Sequence, residues 1–68
     1  MKYIDLHGKR HKEVFEVIAD ACSKFETPFE VITGRSILMK AEVAEAVSEF
    51  GLRIRDHIHN PGRVVVYE

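Results

Sequence analysis

The sequence predicts an α/β fold: a two-layer sandwich of order β-α-β-α-β-β, with a four-stranded mixed sheet and both helices on one face. Three observations predict it. Four short segments (Lys2–His7, Phe29–Thr33, Leu52–Ile58 and Arg63–Tyr67) read as strands bounded by glycine or turn residues. Two longer segments, about His11–Phe25 and Ile37–Phe50, repeat apolar residues at helical spacing. The chain has 68 residues, enough for one domain, and two amphipathic helices cannot cover both faces of four strands. One sheet face is therefore expected to stay open.

In the first strand Ile4 and Leu6 point one way and Tyr3, Asp5 and His7 the other; Gly8 ends it. The first helix carries Val14, Val17, Ile18, Ala21, Cys22 and Phe25 on one side, with Lys12, Glu13, Glu16, Asp20 and Lys24 on the other. Pro28 marks its end. The second strand stops at Gly34, and Ser36 is placed to cap the second helix, because its hydroxyl can accept from an orphan amide of the first turn. That helix lines up Met39, Val43, Ala46, Val47 and Phe50. Gly51 suits the position after a helix end, where φ is positive. In the third strand Leu52, Ile54 and Ile58 are expected toward the core, and Arg53, Arg55, His57 and His59 toward solvent. Asp56 falls on the core side, and the sequence offers no account of it. His59-Asn60-Pro61-Gly62 is turn chemistry for a hairpin into the last strand, which runs back antiparallel.

Composition excludes several classes. Hydrophobic content of 46% and charged content of 31% belong to a globular chain, not a disordered one. A domain of this size buries only about 60% of its unfolded surface, so its stability margin is thin. No segment approaches the ~18 apolar residues of a membrane span and none reads as a signal peptide, and the single cysteine, Cys22, cannot make an internal disulfide. The chain reads as soluble and cytoplasmic.

The net charge is −1, which conceals an uneven distribution. In open α/β sheets, ligands bind beyond the carboxyl ends of the parallel strands. The first strand ends at Asp5-Leu6-His7-Gly8 with Lys9 and Arg10 behind it, the second at Thr33-Gly34-Arg35-Ser36, the third at His57-Ile58-His59-Asn60. Lys9, Arg10, Lys12, Arg35, Lys40 and Arg63 are expected at or near this edge, as are all four histidines. Of the acids, only Asp5 and Asp56 are expected close by. Arg53 and Arg55 extend the positive strip over the open face. The partner for such a strip is a polyanion, most simply a phosphate backbone.

Local chemistry agrees. A glycine at a strand-to-helix turn allows close backbone approach, and the helix N-terminus offers unpaired amides and a positive dipole end. Asp5 and His7 share a strand face, so the carboxylate is expected to orient the imidazole, making His7 a general base or acid. His57 or His59 supplies the complementary proton transfer. His57-x-His59 also has spacing that a zinc ion tolerates, but without a second ligand pair no metal site is assigned.

These residues resemble the signatures of the Smr (small MutS-related) domain family. Its L-D-L-H-G strand end is matched by Ile4-Asp5-Leu6-His7-Gly8 with one conservative change, and its T-G-x-G turn by Thr33-Gly34-Arg35-Ser36, with Ser36 at the second glycine. Lys40 stands where the family tends to carry a basic residue early in the next helix, and Gly62-Arg63-Val64-Val65-Val66 resembles its final glycine and apolar strand. The resemblance implies a fold similar to the C-terminal domain of translation initiation factor 3. It also implies nucleic-acid binding, with endonuclease activity (DNA nicking or RNA cleavage) in many members.

The sequence thus supports an Smr-like endonuclease as the leading expectation. Asp5 and His7 are the catalytic pair, and Gly8, Lys9, Arg10, Thr33, Gly34, Arg35, Ser36, Lys40, Arg53, Arg55, His57, His59 and Arg63 bind phosphate or nucleic acid, with no cofactor assigned and divalent-metal dependence open. Two alternatives stand beside it: a non-catalytic RNA- or ribosome-binding module, and a protein-interaction domain using an exposed strand edge. RNA or DNA is the expected partner, membrane is not, and the chain is expected to be a monomer or weak homodimer.

Overall fold

A computed structural model describes residues 2–68. The elements run β1 (Tyr3–Asp5), α1 (His11–Lys24), β2 (Phe29–Ile32), α2 (Ile37–Ser48), β3 (Arg53–Asp56) and β4 (Arg63–Tyr67). The sheet order is β1-β2-β4-β3. β1 and β2 are parallel, and β4 inserts antiparallel between β2 and β3. β1, β2 and β3 therefore all point the same way, and their carboxyl ends share one edge, as the residue pattern predicts.

Alternation decides the faces. Leu6, Phe29, Val31, Val64 and Val66 are fully buried and meet Val14, Ile18 and Ala21 of α1 and Met39, Val43, Ala46 and Val47 of α2 in one core. Burying each of the larger of these side chains, Val to Phe, stabilises by roughly 1.5–3 kcal/mol. Phe25 adds an edge contact on Phe29, ring centroids 5.6 Å apart. Burial also pushes the Cys22 thiol above its ordinary pKa, in keeping with a core-filling role. Tyr3, Asp5, Glu30, Ile32, Arg63, Val65, Tyr67, Arg53 and Arg55 alternate with the core set and belong to the open face.

Two expected core residues are not in the core. Phe50 is 43% exposed because α2 closes at Ser48. The chain then winds through a tight turn, with Phe50 N–H on the Val47 carbonyl and Gly51 N–H on that of Ser48. Ile58 is 81% exposed because the strand stops at Asp56. Beyond it the His59 N–H donates to His57 Nδ1 (3.1 Å), which curls the chain off the sheet before Ile58 can face a helix. Asp56 has its account here: Lys40 Nζ of α2 lies 3.4 Å from its Oδ1 on the helix side.

The helix starts differ. Ser36 Oγ accepts from the Met39 N–H at 3.0 Å, as predicted, whereas Arg10 at the start of α1 makes no side-chain cap. Replacing Ser36 by alanine is therefore expected to cost about 1 kcal/mol, and Arg10→Ser to stabilise by a similar amount. Urea denaturation of both variants checks this; equal shifts of one sign would contradict the assigned caps.

Candidate nucleic-acid interface

Three turns meet at the shared carboxyl edge. The first is Leu6–Lys9, closed by the Lys9 N–H on the Leu6 carbonyl (2.9 Å), with Gly8 at φ +84° in the third position as a type II turn requires. The second is Thr33-Gly34, whose two N–H groups both donate to the Gly62 carbonyl, at 2.9 and 3.0 Å. The Thr33 hydroxyl, on a residue only 3% exposed, donates to the Gly34 carbonyl at 2.8 Å and lies 3.4 Å from that of Gly62. The third is Asn60–Gly62, pinned by the Gly62 N–H on Asn60 Oδ1 (2.9 Å).

Gly34 joins the first two turns. Its φ is +66°, and a Cβ there would stand 3.2 Å from Cδ2 of His7. The imidazole of the first motif therefore packs against the bare backbone of the second. His7 itself stays exposed to solvent.

The Asp5 carboxylate does not perform the task expected of it. Its Oδ1 accepts from the backbone N–H of His7 at 2.9 Å, so it fixes the turn rather than the ring. The reason is local: a residue at a strand end two positions before a turn reaches the i+2 amide in an Asx-type bond.

The cations divide into two groups. Lys9, Arg10, Lys12 and Arg35 are exposed and form no ion pair among the described residues. Lys40 and Arg63 are committed. Lys40 Nζ donates to the Pro61 carbonyl at 2.7 Å as well as lying near Asp56, so it ties α2 to the β3–β4 loop instead of projecting as a free phosphate ligand. Arg63 lies on the open face, with Nη1 2.8 Å from Glu30 Oε1 and its guanidinium 5.4 Å from the Tyr3 ring centre. Arg53 and Arg55 lie on that face too, 5.5 and 5.8 Å from the Tyr67 ring centre.

Glu30 corrects the expected charge map. It stands in the middle of the open face, 15% exposed, between Arg63 and His57, whose Nε2 is 3.8 Å away. The Arg63 hydrogen bond holds its carboxyl below the usual glutamate range, and the His57 and Arg63 charges add to that. Nδ1 of His57 accepts the His59 N–H, so Nε2 is the ring nitrogen that faces Glu30. His57 is thus occupied on the face, while His59 is exposed in the loop. His11, the fourth histidine, pairs through Nδ1 with Glu42 and links the two helices.

Sequence reasoning missed Glu30, Tyr3, Tyr67 and the Asn60–Gly62 turn as parts of this surface. The signal for the first three was strand parity: Tyr3 is two positions from Asp5, Glu30 is out of phase with Phe29 and Val31, and Tyr67 is in phase with Arg63 and Val65. Among the described residues no group of three His, Cys, Asp or Glu side chains is gathered as metal ligands are, and no helix is long and apolar enough to cross a membrane. Concave regions lie elsewhere, between α1 and α2 around Phe15 and Glu45 and at the far end around Phe25–Pro28. The convergent edge is a rim of turns. Compared with known proteins, the chain matches no family model, no curated protein and no solved structure.

Two outcomes follow from this geometry. Gly34→Ala forces an L-residue into left-handed backbone and a methyl against His7, so a loss of about 1–2 kcal/mol is expected, together with a shifted His7 imidazole resonance by NMR. For Glu30, a carboxyl pKa lowered by folding adds stability above the ordinary glutamate range and loses it as pH falls through the folded value. Wild type is therefore expected to melt above Glu30→Gln at neutral pH, with the gap closing on acidification. A gap that widens in acid would reverse the assignment.

Proposed function

We propose that this chain is a small nucleic-acid-binding domain of the Smr type that cleaves RNA or nicks DNA at the convergent edge. The observation that carries the reading is the packing of the His7 imidazole on Gly34. It unites the Ile4-Asp5-Leu6-His7-Gly8 and Thr33-Gly34-Arg35-Ser36 turns amid Lys9, Arg10 and Arg35, cations with no acid partner. The uncapped start of α1 adds backbone amides at the same rim.

On RNA, His7 takes the proton of a 2′-hydroxyl. The 2′-oxygen attacks phosphorus, the bond to the 5′-oxygen breaks, and the leaving oxygen takes a proton from His59. His59 fills this role in preference to His57, whose ring nitrogens are occupied by the His59 amide and Glu30. The free cations stabilise the charge gathering on the phosphoryl oxygens. Asp5 is a positioning residue in this scheme, holding the turn that presents His7.

Purified protein is to be incubated with RNA and with supercoiled DNA, with and without a chelator. His7→Ala is expected to lower cleavage at least ~100-fold. Asp5→Asn, which keeps the amide acceptor, is expected to stay within a few-fold of wild type, and Asp5→Ala to lose more. Cleavage that is equal in wild type and His7→Ala defeats the enzymatic reading. The second reading, a binding module without catalysis, is favoured by the use of Asp5 on the backbone and Lys40 on Pro61. It expects salt-sensitive binding weakened by Arg35→Ala, with no cut product.

A further inference from the structure

Both helices cover one side of the sheet, and the other side carries an ordered set of residues that the edge chemistry does not use. Across the strands, Asp5, Ile32 and Arg63 stand in register, with the His57 N–H bonded to the Arg63 carbonyl. The next row is Tyr3, Glu30, Val65 and Arg55; the one after holds Tyr67 and Arg53. Val65 belongs to this face yet is only 5% exposed, so long side chains lie over it.

We infer that this open face is a stacking platform for the bases of a single-stranded nucleic acid, with Tyr67 and Tyr3 as the rings and Arg53 and Arg55 as the free cations beside Tyr67. The inference rests on the nucleic-acid reading above and specifies the strand state of the ligand and a second contact surface.

Four features carry it. Tyr3 is 59% exposed, and Tyr67, partly covered by Arg53 and Arg55, keeps some of its ring open to solvent. They lie two strands and one row apart, roughly 12 Å, and therefore serve different bases instead of clamping one. Arg53 and Arg55 lie over the Tyr67 ring and have no acid partner among the described residues. A guanidinium beside an aromatic ring can stack on a base or turn its N–H groups to a phosphate. The acid at the centre, Glu30, is matched by Arg63 and His57, so the middle of the face does not repel a polyanion.

The shape selects the strand state. A duplex keeps its base faces stacked inside, out of reach of a sheet; only an unpaired strand can lay them on aromatic rings. The row nearest the edge holds Asp5, Ile32, Arg63 and His57, so a strand crossing the His7 rim reaches the platform past an Asp5 carboxylate that accepts the His7 N–H. Sequence preference is expected to be weak, because every base has a π-face.

The test is fluorescence anisotropy with a labelled oligouridylate, a labelled oligothymidylate and a blunt duplex of equal length, at one low salt concentration. Tyr67→Ala is expected to weaken binding of both single strands about tenfold and leave duplex binding unchanged, while Tyr67→Phe, which keeps the ring, binds like wild type. Arg55→Glu, a fully surface change that spares the fold, is expected to weaken the single strands at least as much. Wild-type single-strand affinity in Tyr67→Ala and Arg55→Glu overturns the platform, as does an equal loss for the duplex. Arg35→Ala separates the two readings. Single-strand binding that falls with Arg35→Ala but not with the face variants leaves the edge standing and removes the platform. Binding that falls with the face variants, combined with cleavage that ignores His7→Ala, keeps the platform and removes the catalytic edge.

Discussion

One carbonyl, that of Gly62, accepts the N–H groups of both Thr33 and Gly34, and the geometry of the edge depends on it. It stops β2 at a fixed height against the start of β4. Two amides at a nearly buried strand end gain an acceptor in the process; leaving either bare would cost about 1–3 kcal/mol. With the strand end so held, Gly34 takes its left-handed conformation beneath His7, and the loop carrying Gly62 comes close enough for Lys40 to reach the Pro61 carbonyl. A hydrogen bond in the backbone thus decides which side chains converge.

The electrostatics follow from the same arrangement. A net charge of −1 conceals cations of different kinds. Lys40 and Arg63 are structural: each reaches across from one element to another and neutralises an acid there. Lys9, Arg10, Lys12 and Arg35 have no such partner and stand at the rim. Arg53 and Arg55 are intermediate, resting on an aromatic ring and free of acids. Binding a polyanion would leave the first group in place and recruit the other two.

The fold was largely legible in the residues because its signals are local. The β-branched runs in Phe29–Thr33 and Arg63–Tyr67, the helical spacing from Val14 to Ala21 and from Met39 to Val47, Ser36 as cap and Gly51 beyond the helix end all act within a few positions. Phe50 and Ile58 were misplaced because a hydrophobic period says nothing about where a helix or strand stops; the tight turn after Ser48 and the His59–His57 bond decide that. At the site, the convergence of the three strand ends was legible from topology. The target of Asp5 was not, since a carboxylate can reach a ring or an amide from the same strand position. Nor was the position of Glu30 between Arg63 and His57, which depends on β4 lying beside β2, a pairing between residues far apart in sequence.

The insertion of β4 also governs how the molecule comes apart. β3 hydrogen-bonds to no strand except β4, and β2 has it as one of two neighbours. If β4 withdraws, β3 loses its whole ladder, β2 loses half of its own, and Val64 and Val66 leave the core together. β3, at the edge, can peel away by itself, but β4 cannot leave without releasing β3 as well. For β4, opening is tied to loss of the core, so hydrogen exchange at the Val64–Val66 amides reports the stability of the entire domain.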